Sequence, residues 1–278
     1  MVDARAIASA VREAIGEAAT SLRPDVLSAM RRAAEAEPSV RGRSVLAQLI
    51  RNAEVAETDH VPLCQDTGTV WVRVELGAEE CLHQPLQPLI DEAVADAYRT
   101  HALRMSVVRD ALFDRTNTAD NTPAFVELVT REGTGATVHV MLKGGGSDNS
   151  SALAMLDPSA GIEGVKEFVL RTVEAKASGA CPPLVVGVGI GSTFDKVAGL
   201  AKRALLMPLS PDSPGEAGAL ERELLDLVNA TGIGPAALGG RTTALGVKVL
   251  SAPCHIAALP VAVNMGCSAV RTATVEVE

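Results

Sequence analysis

The chain has 278 residues, enough for one large or two ordinary domains, and 47% of them are apolar. Aromatic residues make up only 2% and the formal net charge is −9, which together argue against a nucleic-acid binder. Composition also excludes collagenous, disordered and disulfide-scaffold proteins. We therefore expect an acidic globular protein whose core is built from Ala, Val, Leu and Ile.

Three helices are predicted in the first 58 residues. Apolar residues recur at helical spacing from Ala4 to Ala18, and further helices are predicted at about residues 22–36 and 43–56. Charged residues interrupt the apolar ones near the N-terminus, so this segment does not have the pattern of a secretory signal peptide. We expect a cytoplasmic protein whose thiols stay reduced.

Residues 59–278 are predicted to form the body of the protein. Val70, Val72 and Val74 alternate with other residues, as in a half-buried strand. Strands are also predicted at about residues 124–130, 136–142, 184–190, 244–250, 260–263 and 271–277, and helices at about 86–101, 162–177, 194–206 and 216–230. The charge-poor stretch 249–270 contains prolines, a histidine and an asparagine, so we expect no membrane span. The predicted fold class is α/β (α+β mixed): one domain, with a helical N-terminal segment followed by a mixed-sheet α/β body.

Three loops have unusual sequences. Residues 64–68 put a thiol, an amide and a carboxylate in one turn before a strand. Residues 143–149 contain three consecutive glycines, which either expose backbone N–H groups to an anion or form a flexible turn. Residues 187–193 are also glycine-rich, but Ser192 stands where a dinucleotide fingerprint needs glycine, and Asp212 lies in a Pro/Ser-rich loop. Close packing of a strand on a helix explains those glycines equally well.

Five cysteines are present and none forms a Cys-x-x-Cys pair, so a zinc ribbon is not expected. Cys64, Cys181 and Cys267 each lie beside a turn-forming residue at the boundary of an element, a setting that suits an iron–sulfur cluster. Cys81 lies in an acidic loop and is interpreted as incidental. For any single cysteine, however, a small buried apolar side chain is the simpler interpretation.

A cluster held by three thiolates would leave one iron open to act as a Lewis acid. Asp66 and His255 are then candidates for proton transfer, and Arg104 and the segment 115–118 are candidates for binding carboxylates. Each has an ordinary alternative. Asp66 could be a carboxylate that caps its own turn. His255 could be a histidine buried in the core, and Arg104 could be a solvated surface arginine.

The loops and cysteines, taken in order, resemble the α subunit of class I (iron–sulfur) fumarate hydratases and the related tartrate dehydratases. The matching segments are 64–68, 117–123, 143–147, 181–183, 187–191 and 254–260, followed by Cys267. The resemblance covers nearly the whole chain. It implies that Cys64, Cys181 and Cys267 hold a [4Fe–4S] cluster, and that Gln65, Asp66, Arg104, Gly146 and His255 belong to the dicarboxylate pocket.

The resemblance also implies an activity and a partner. Such proteins add water to, or remove it from, a fumarate-like substrate, here as a fumarate hydratase of the tricarboxylic acid cycle. Several substrate-binding groups and the base lie in a second region, so a separate β subunit is expected, in a dimer of αβ pairs. This sequence departs from the pattern at Ser150, where lysine is expected, at Ser268, and at Thr272.

Other functions stay open at this point. Tartrate or mesaconate could replace fumarate as the substrate. A non-catalytic dicarboxylate-binding or assembly protein would keep the fold without turnover, and an NAD-dependent enzyme would use the loop at 187–193.

Overall fold

The computed structural model describes residues 2–210 and 213–278. The chain divides into two compact units. The first unit contains Met1–Arg23, Asn52–Gly145 and Arg271–Glu278, and the second contains Pro24–Arg51 and Gly146–Val270. In the described part of the chain, none of the helices combines the length and the apolar character needed to cross a membrane. The single-domain organisation expected from the sequence stays a prediction.

The elements follow the predicted order closely. The helices are α1 (Ala4–Thr20), α2 (Pro24–Ala36), α3 (Val40–Asp59), α4 (Leu86–Thr100), α5 (Gly145–Asn149), α6 (Gly161–Lys176), α7 (Phe194–Ala204) and α8 (Gly215–Ala230). The strands are β1 (Thr69–Gly77), β2 (Phe125–Arg131), β3 (Ala136–Lys143), β4 (Ala152–Leu156), β5 (Leu184–Ser192), β6 (Ala244–Cys254), β7 (Leu259–Gly266) and β8 (Arg271–Val277). The predicted fold class is confirmed: a helical N-terminal segment precedes an α/β body with mixed sheets. Helix α5 and strand β4 were not predicted.

The first unit is built on a sheet with the strand order β2-β1-β3-β8. Strand β1 runs parallel to β2 and antiparallel to β3, which in turn runs antiparallel to β8. The alternate residues Val70, Val72 and Val74 are fully buried with apolar residues of α1 and α4. Period-2 alternation places these valines on one face of the strand, which is why the pattern predicted β1. Arg73, on the other face of the strand, forms ion pairs with Glu75 and Glu127.

The second unit is built on a sheet with the strand order β4-β7-β5-β6. Strand β5 is parallel to β6 and antiparallel to β7. Val186 and Val188 are buried in a core with residues of α6 and α8. Helix α7 packs so closely on β5 that a Cβ on Gly189 would lie 2.5 Å from the carbonyl oxygen of Val197.

That packing explains the glycine-rich segment at residues 187–193. A Cβ on Gly187 would lie 2.2 Å from the carbonyl oxygen of Ala201, so both inner glycines admit the helix backbone. They lie within β5 and do not form a phosphate-binding loop after it. Asp212, the acidic residue considered for that fingerprint, lies outside the described residues.

A buried carboxylate joins α2 and α3 to the loop before β6. Glu37 is 1% exposed, and its carboxylate accepts the N–H groups of Ser39, Arg241 and Thr242 at distances of 2.8 to 3.1 Å. Burial alone would raise the pKa of Glu37, but the backbone hydrogen bonds from Arg241, Thr242 and Ser39 outweigh it, so the pKa is lowered.

Candidate functional site

Asp66 lies at the centre of a turn in the first unit. Its Oδ1 accepts the backbone N–H of Gly68 at 3.1 Å, and its Oδ2 accepts that of Gly145 at 2.9 Å. The first bond is the self-capping turn considered from the sequence. The second ties the 64–68 loop to the glycine loop that follows β3. The carboxylate is therefore held in one orientation while its side chain keeps 31% of its surface exposed.

Arg104 faces the same carboxylate. Its Nη2 lies 3.7 Å from Asp66 Oδ1, and the Arg104 side chain is 58% exposed. A pair this exposed is weak, so the guanidinium is available for another carboxylate. The backbone of Arg104 is fixed more firmly, because its carbonyl oxygen accepts the hydroxyl of Thr67 at 2.5 Å. Gln65 is exposed beside these groups in the sequence.

The glycine loop packs tightly against this turn. A Cβ on Gly68 would lie 2.5 Å from the carbonyl oxygen of Lys143, and one on Gly144 would lie 3.1 Å from Asp66 Oδ2. Gly146, the predicted substrate-binding residue, is exposed and is the first residue of the longer segment of the second unit. A Cβ there would lie 2.7 Å from the carbonyl oxygen of Gly179. The glycines are thus required for close backbone packing, and the N–H of Gly145 donates to the Asp66 carboxylate.

Cys181 and Cys267 come together at one end of the second sheet. Cys181 precedes β5 and Cys267 follows β7. These strands are antiparallel, and Val185, near the start of β5, pairs with Gly266, the last residue of β7. The backbone N–H of Ser268 donates to the carbonyl oxygen of Cys181 at 3.1 Å. Cys181 also adopts a left-handed backbone conformation, with φ of 54°, which is rare for a residue other than glycine and is often found at functional sites.

His255 and Cys254 lie at the opposite end of that sheet. Cys254 pairs with Ser192, the last residue of β5, whereas Cys181 precedes its first residue. A strand of nine residues separates its ends by about 26 Å at ~3.3 Å per residue. The His255 ring is exposed, and its Nδ1 accepts the N–H of Ala257 at 3.1 Å. His255 is therefore not a core histidine, and within one chain it is far from Cys181.

The five cysteines are all free thiols. Cys64 belongs to the first unit and is half-buried, like Cys267, whereas Cys181 is exposed. Among residues 2–210 and 213–278, no three His, Cys, Asp or Glu side chains converge as the ligands of a single metal ion do. The thiolates of an iron–sulfur cubane bind different irons and need not converge on one point. Free thiols in loops, two of them on neighbouring loops, therefore fit such a cluster in donor type.

The remaining candidates take no part in this arrangement. Cys81 is exposed in the loop after β1, and its interpretation as incidental stays a prediction. Arg115 donates through Nη1 to the carbonyl oxygen of Ala111, within its own loop, at 2.6 Å. A cavity of about 320 Å³ in the second unit, between α2, α8 and β6, is lined by none of the predicted site residues.

Sequence reasoning missed three side chains that bind the Asp66 turn from inside the first unit. They are Tyr98, Asn121 and Arg271, all at most 2% exposed. Asn121 lies in the segment 117–123, which the family resemblance matches, and that match is the signal that could have identified it. The sequence pattern at Tyr98 is that of any apolar residue on the buried face of a helix. The pattern at Arg271 is that of any residue at the start of a strand.

Comparison with known proteins places the chain in a family. A family model described as fumarate hydratase (Fumerase) matches residues 8–276. A Methanocaldococcus jannaschii protein named "Putative L(+)-tartrate dehydratase subunit alpha" is 39% identical over 274 residues, which cover 96% of each chain. The L(+)-tartrate dehydratase subunit alpha of Escherichia coli strain UTI89 is 35% identical, over 93% of this chain and 86% of its own length. The corresponding protein of Escherichia coli strain K12 is 34% identical over 92% of this chain. Because the family model matches almost the full length of this chain and the relatives are this similar, the chain belongs to the fumarate hydratase (Fumerase) family.

Proposed function

We propose that this chain is the α subunit of a hydro-lyase that interconverts malate and fumarate. The observation that carries the proposal is the Asp66 turn, where a fixed carboxylate and an exposed guanidinium lie 3.7 Å apart. Such a pair offers a group that moves a proton and a group that binds a carboxylate, and dehydration of a hydroxy-dicarboxylate needs both.

The chain's own residues have distinct parts in this proposal. Arg104 binds one substrate carboxylate through its guanidinium, and the exposed amide of Gln65 adds a donor. Gly146 binds the substrate through its backbone, since the carbonyl oxygen of Gly179 occupies the space where a side chain would lie. Loss of water from malate removes a hydroxyl from one carbon and a proton from its neighbour. Asp66 accepts or returns a proton at a carboxylate oxygen, in an orientation fixed by Gly68 and Gly145.

The proposal assigns a [4Fe–4S] cluster to Cys64, Cys181 and Cys267. In support, all three are free thiols on turns, and the Cys181 and Cys267 loops are joined by a backbone hydrogen bond. When bound by three thiolates, a cluster has one iron without a protein ligand, which supplies a Lewis acid for the departing hydroxyl.

The active enzyme in this proposal contains a separate β subunit, as the name "subunit alpha" implies for the relatives. We further propose a dimer of αβ pairs. The distance of about 26 Å along β5 keeps His255 away from Cys181 of its own chain. His255 therefore takes part in proton transfer only at the site of the second copy, with Nε2 carrying the proton of the neutral ring because Nδ1 accepts from Ala257.

A second candidate reaction is dehydration of L(+)-tartrate. The names of the relatives favour it. Tartrate carries hydroxyls on both central carbons, so its pocket needs one more hydrogen-bond partner than the malate pocket does. The departures from the family pattern at Ser150, Ser268 and Thr272 are the positions in this chain at which the two substrates would be distinguished.

The test is a substrate comparison with the complete complex. The chain is co-expressed with its β partner, loaded with iron and sulfide anaerobically, and assayed with fumarate, L-malate and L(+)-tartrate. We expect fumarate to lose its ultraviolet absorbance as it is hydrated, with a higher kcat/KM than tartrate. A higher kcat/KM for tartrate would replace the first reaction with the second. No turnover of any of the three by a complex with intact cluster would refute both.

A further inference from the structure

We propose that Tyr98, Asn121 and Arg271 form a clamp of buried side chains that positions Cys64–Asp66 and Arg104 for ligand binding. The inference rests on the proposed function, because it concerns the same turn. The three are positioning residues, since they act through the backbone of that turn.

The clamp binds three consecutive carbonyl groups. Arg271 Nη1 donates to the carbonyl oxygen of Asp66 at 2.5 Å. The Tyr98 hydroxyl lies 3.1 Å from the carbonyl oxygen of Thr67 and 3.0 Å from that of Gly68. Asn121 Nδ2 donates to the carbonyl oxygen of Gly68 at 3.2 Å. The donors come from β8, α4 and the loop before β2, so the turn is held from three separate elements.

The same side chains extend the clamp to Arg104. Asn121 Oδ1 accepts the backbone N–H of Ser106 at 2.7 Å, two residues after Arg104. Thr67 donates its hydroxyl to the Arg104 carbonyl oxygen. The carboxylate of Asp66 and the guanidinium of Arg104 thus project from two backbone segments that share buried hydrogen bonds. Movement of one segment requires breaking bonds to the other.

The burial of Arg271 is costly for a group with a purely structural role. The residue is 2% exposed, and within the described part of the chain its buried Nε has no hydrogen-bond partner. A buried donor without a partner lowers stability, and apolar side chains in place of buried charges are often neutral or stabilising. What Arg271 provides instead is a fixed hydrogen bond to the Asp66 carbonyl, with Nη2 directed near Gly144.

Tyr98 is suited to act as a permanent donor. Burial raises the pKa of its phenol to about 12, although the nearby charge of Arg271 acts in the opposite direction. The hydroxyl therefore keeps its proton well above neutral pH. Asn121 has a left-handed backbone with φ of 62°, a conformation that asparagine tolerates better than most residues.

The first test measures the turn without any cluster. In the cluster-free full chain, the alkylation rate of Cys64 is measured by mass spectrometry, with Cys81 as the internal reference. Tyr98→Phe and Arg271→Lys preserve size or charge. Each should raise the Cys64 to Cys81 rate ratio by about three- to tenfold, the range expected for losing one net hydrogen bond. Thr20→Val is the matched control, since Thr20 makes a buried hydrogen bond elsewhere in the first unit, to the Gly16 carbonyl oxygen at 3.0 Å.

The second test uses the complete complex. Tyr98→Phe should raise KM for fumarate with normal iron content and an unfolding midpoint no lower than that of Thr20→Val. An unchanged alkylation ratio in both clamp variants, or an equal change in Thr20→Val, overturns the clamp. A wild-type complex that holds iron but turns over no dicarboxylate refutes the proposed function instead, while the alkylation ratio still reports on the clamp.

Discussion

Lys176 places its ammonium 2.8 Å from the backbone carbonyl oxygen of Ser151. Its Nζ also lies 3.4 Å from the carbonyl oxygen of Asn149. These carbonyls flank Ser150, where the family resemblance leads one to expect lysine. In this chain a cation therefore reaches the backbone on either side of that position from the end of α6. The serine is correspondingly buried, at 4% exposure.

Ser150 should consequently contribute to stability through its hydroxyl. Its Oγ lies 2.9 Å from the carbonyl oxygen of Gly146 and 3.0 Å from that of Lys176. Ser150→Ala should lower the free energy of unfolding by about 1 kcal/mol, because two partly buried carbonyl oxygens lose a shared donor. Urea unfolding measures the effect. The exposed Ser9→Ala on α1 is the control and should change stability by less than about 0.5 kcal/mol; equal effects would contradict the assignment.

Replacement of Cys181 and replacement of Cys81 should have different effects on the iron content of the enzyme. Cys181→Ser removes a proposed ligand, so iron and sulfide per αβ pair should fall to a small fraction of the wild-type content, and hydration should be lost. Cys81→Ser should keep both, because Cys81 is not among the proposed ligands. Anaerobic iron and sulfide analysis decides the matter. Full iron content in the Cys181 variant would remove this residue from the ligand set.

Two glycines near α7 should respond oppositely to the same substitution. Gly189→Ala places a Cβ 2.5 Å from the Val197 carbonyl oxygen and 2.7 Å from the Ala201 nitrogen, so α7 must move off β5. We expect a loss of more than about 2 kcal/mol of stability. Gly199→Ala lies within α7 and meets nothing within 4 Å, so it should gain up to ~1 kcal/mol from helix propensity. Thermal unfolding distinguishes the two variants.

The same measurement tests the dinucleotide hypothesis. A higher unfolding temperature of the wild-type chain with NAD would support dinucleotide binding at the 187–193 segment.

Glu37 should make the stability of the second unit dependent on pH. Its folded pKa is lowered from 4.5, so the carboxylate contributes stability above that value and loses the contribution as pH falls through the lower folded pKa. Glu37→Gln should be destabilised at neutral pH, because an amide can no longer accept all the backbone N–H groups at both terminal atoms. Chemical unfolding of wild type and variant should therefore differ most near neutrality and converge in acid.

The exposed Glu35→Gln, two residues earlier at the end of α2, is the control for that experiment. Its unfolding free energy should follow the wild-type profile at every pH. A constant difference between wild type and Glu37→Gln across the acid range would show that the Glu37 carboxylate contributes through packing and not through charge.

Much of the fold follows from local patterns. Alternating valines predicted β1, and helical spacing predicted α1, because one face of each is buried in a core. Strand β4 was missed because Ala152–Leu156 lacks β-branched residues and pairs only with β7, at the edge of its sheet. The short α5 begins inside a run of glycines, where propensity predicts a turn.

The candidate site was less accessible to sequence reasoning. The chemistry of Asp66 and Arg104 was recognisable, and the structure does bring those two together. Which end of a sheet a loop occupies depends on strand direction, so the sequence could not separate His255 from Cys181. The partners of the Asp66 turn were also hidden. Tyr98 is 31 positions from Thr67 in the sequence, and Arg271 is 205 positions from Asp66. No local pattern relates residues so far apart.

The interleaving of the two units has a consequence for biosynthesis. Strand β8 belongs to the first unit and carries Arg271, yet it is translated after every residue of the second unit. The sheet that supports Asp66 can therefore be completed only after Cys181 and Cys267 have been synthesised. In the proposed enzyme, a cluster held by all three thiols can therefore be loaded only after Cys267 has been synthesised.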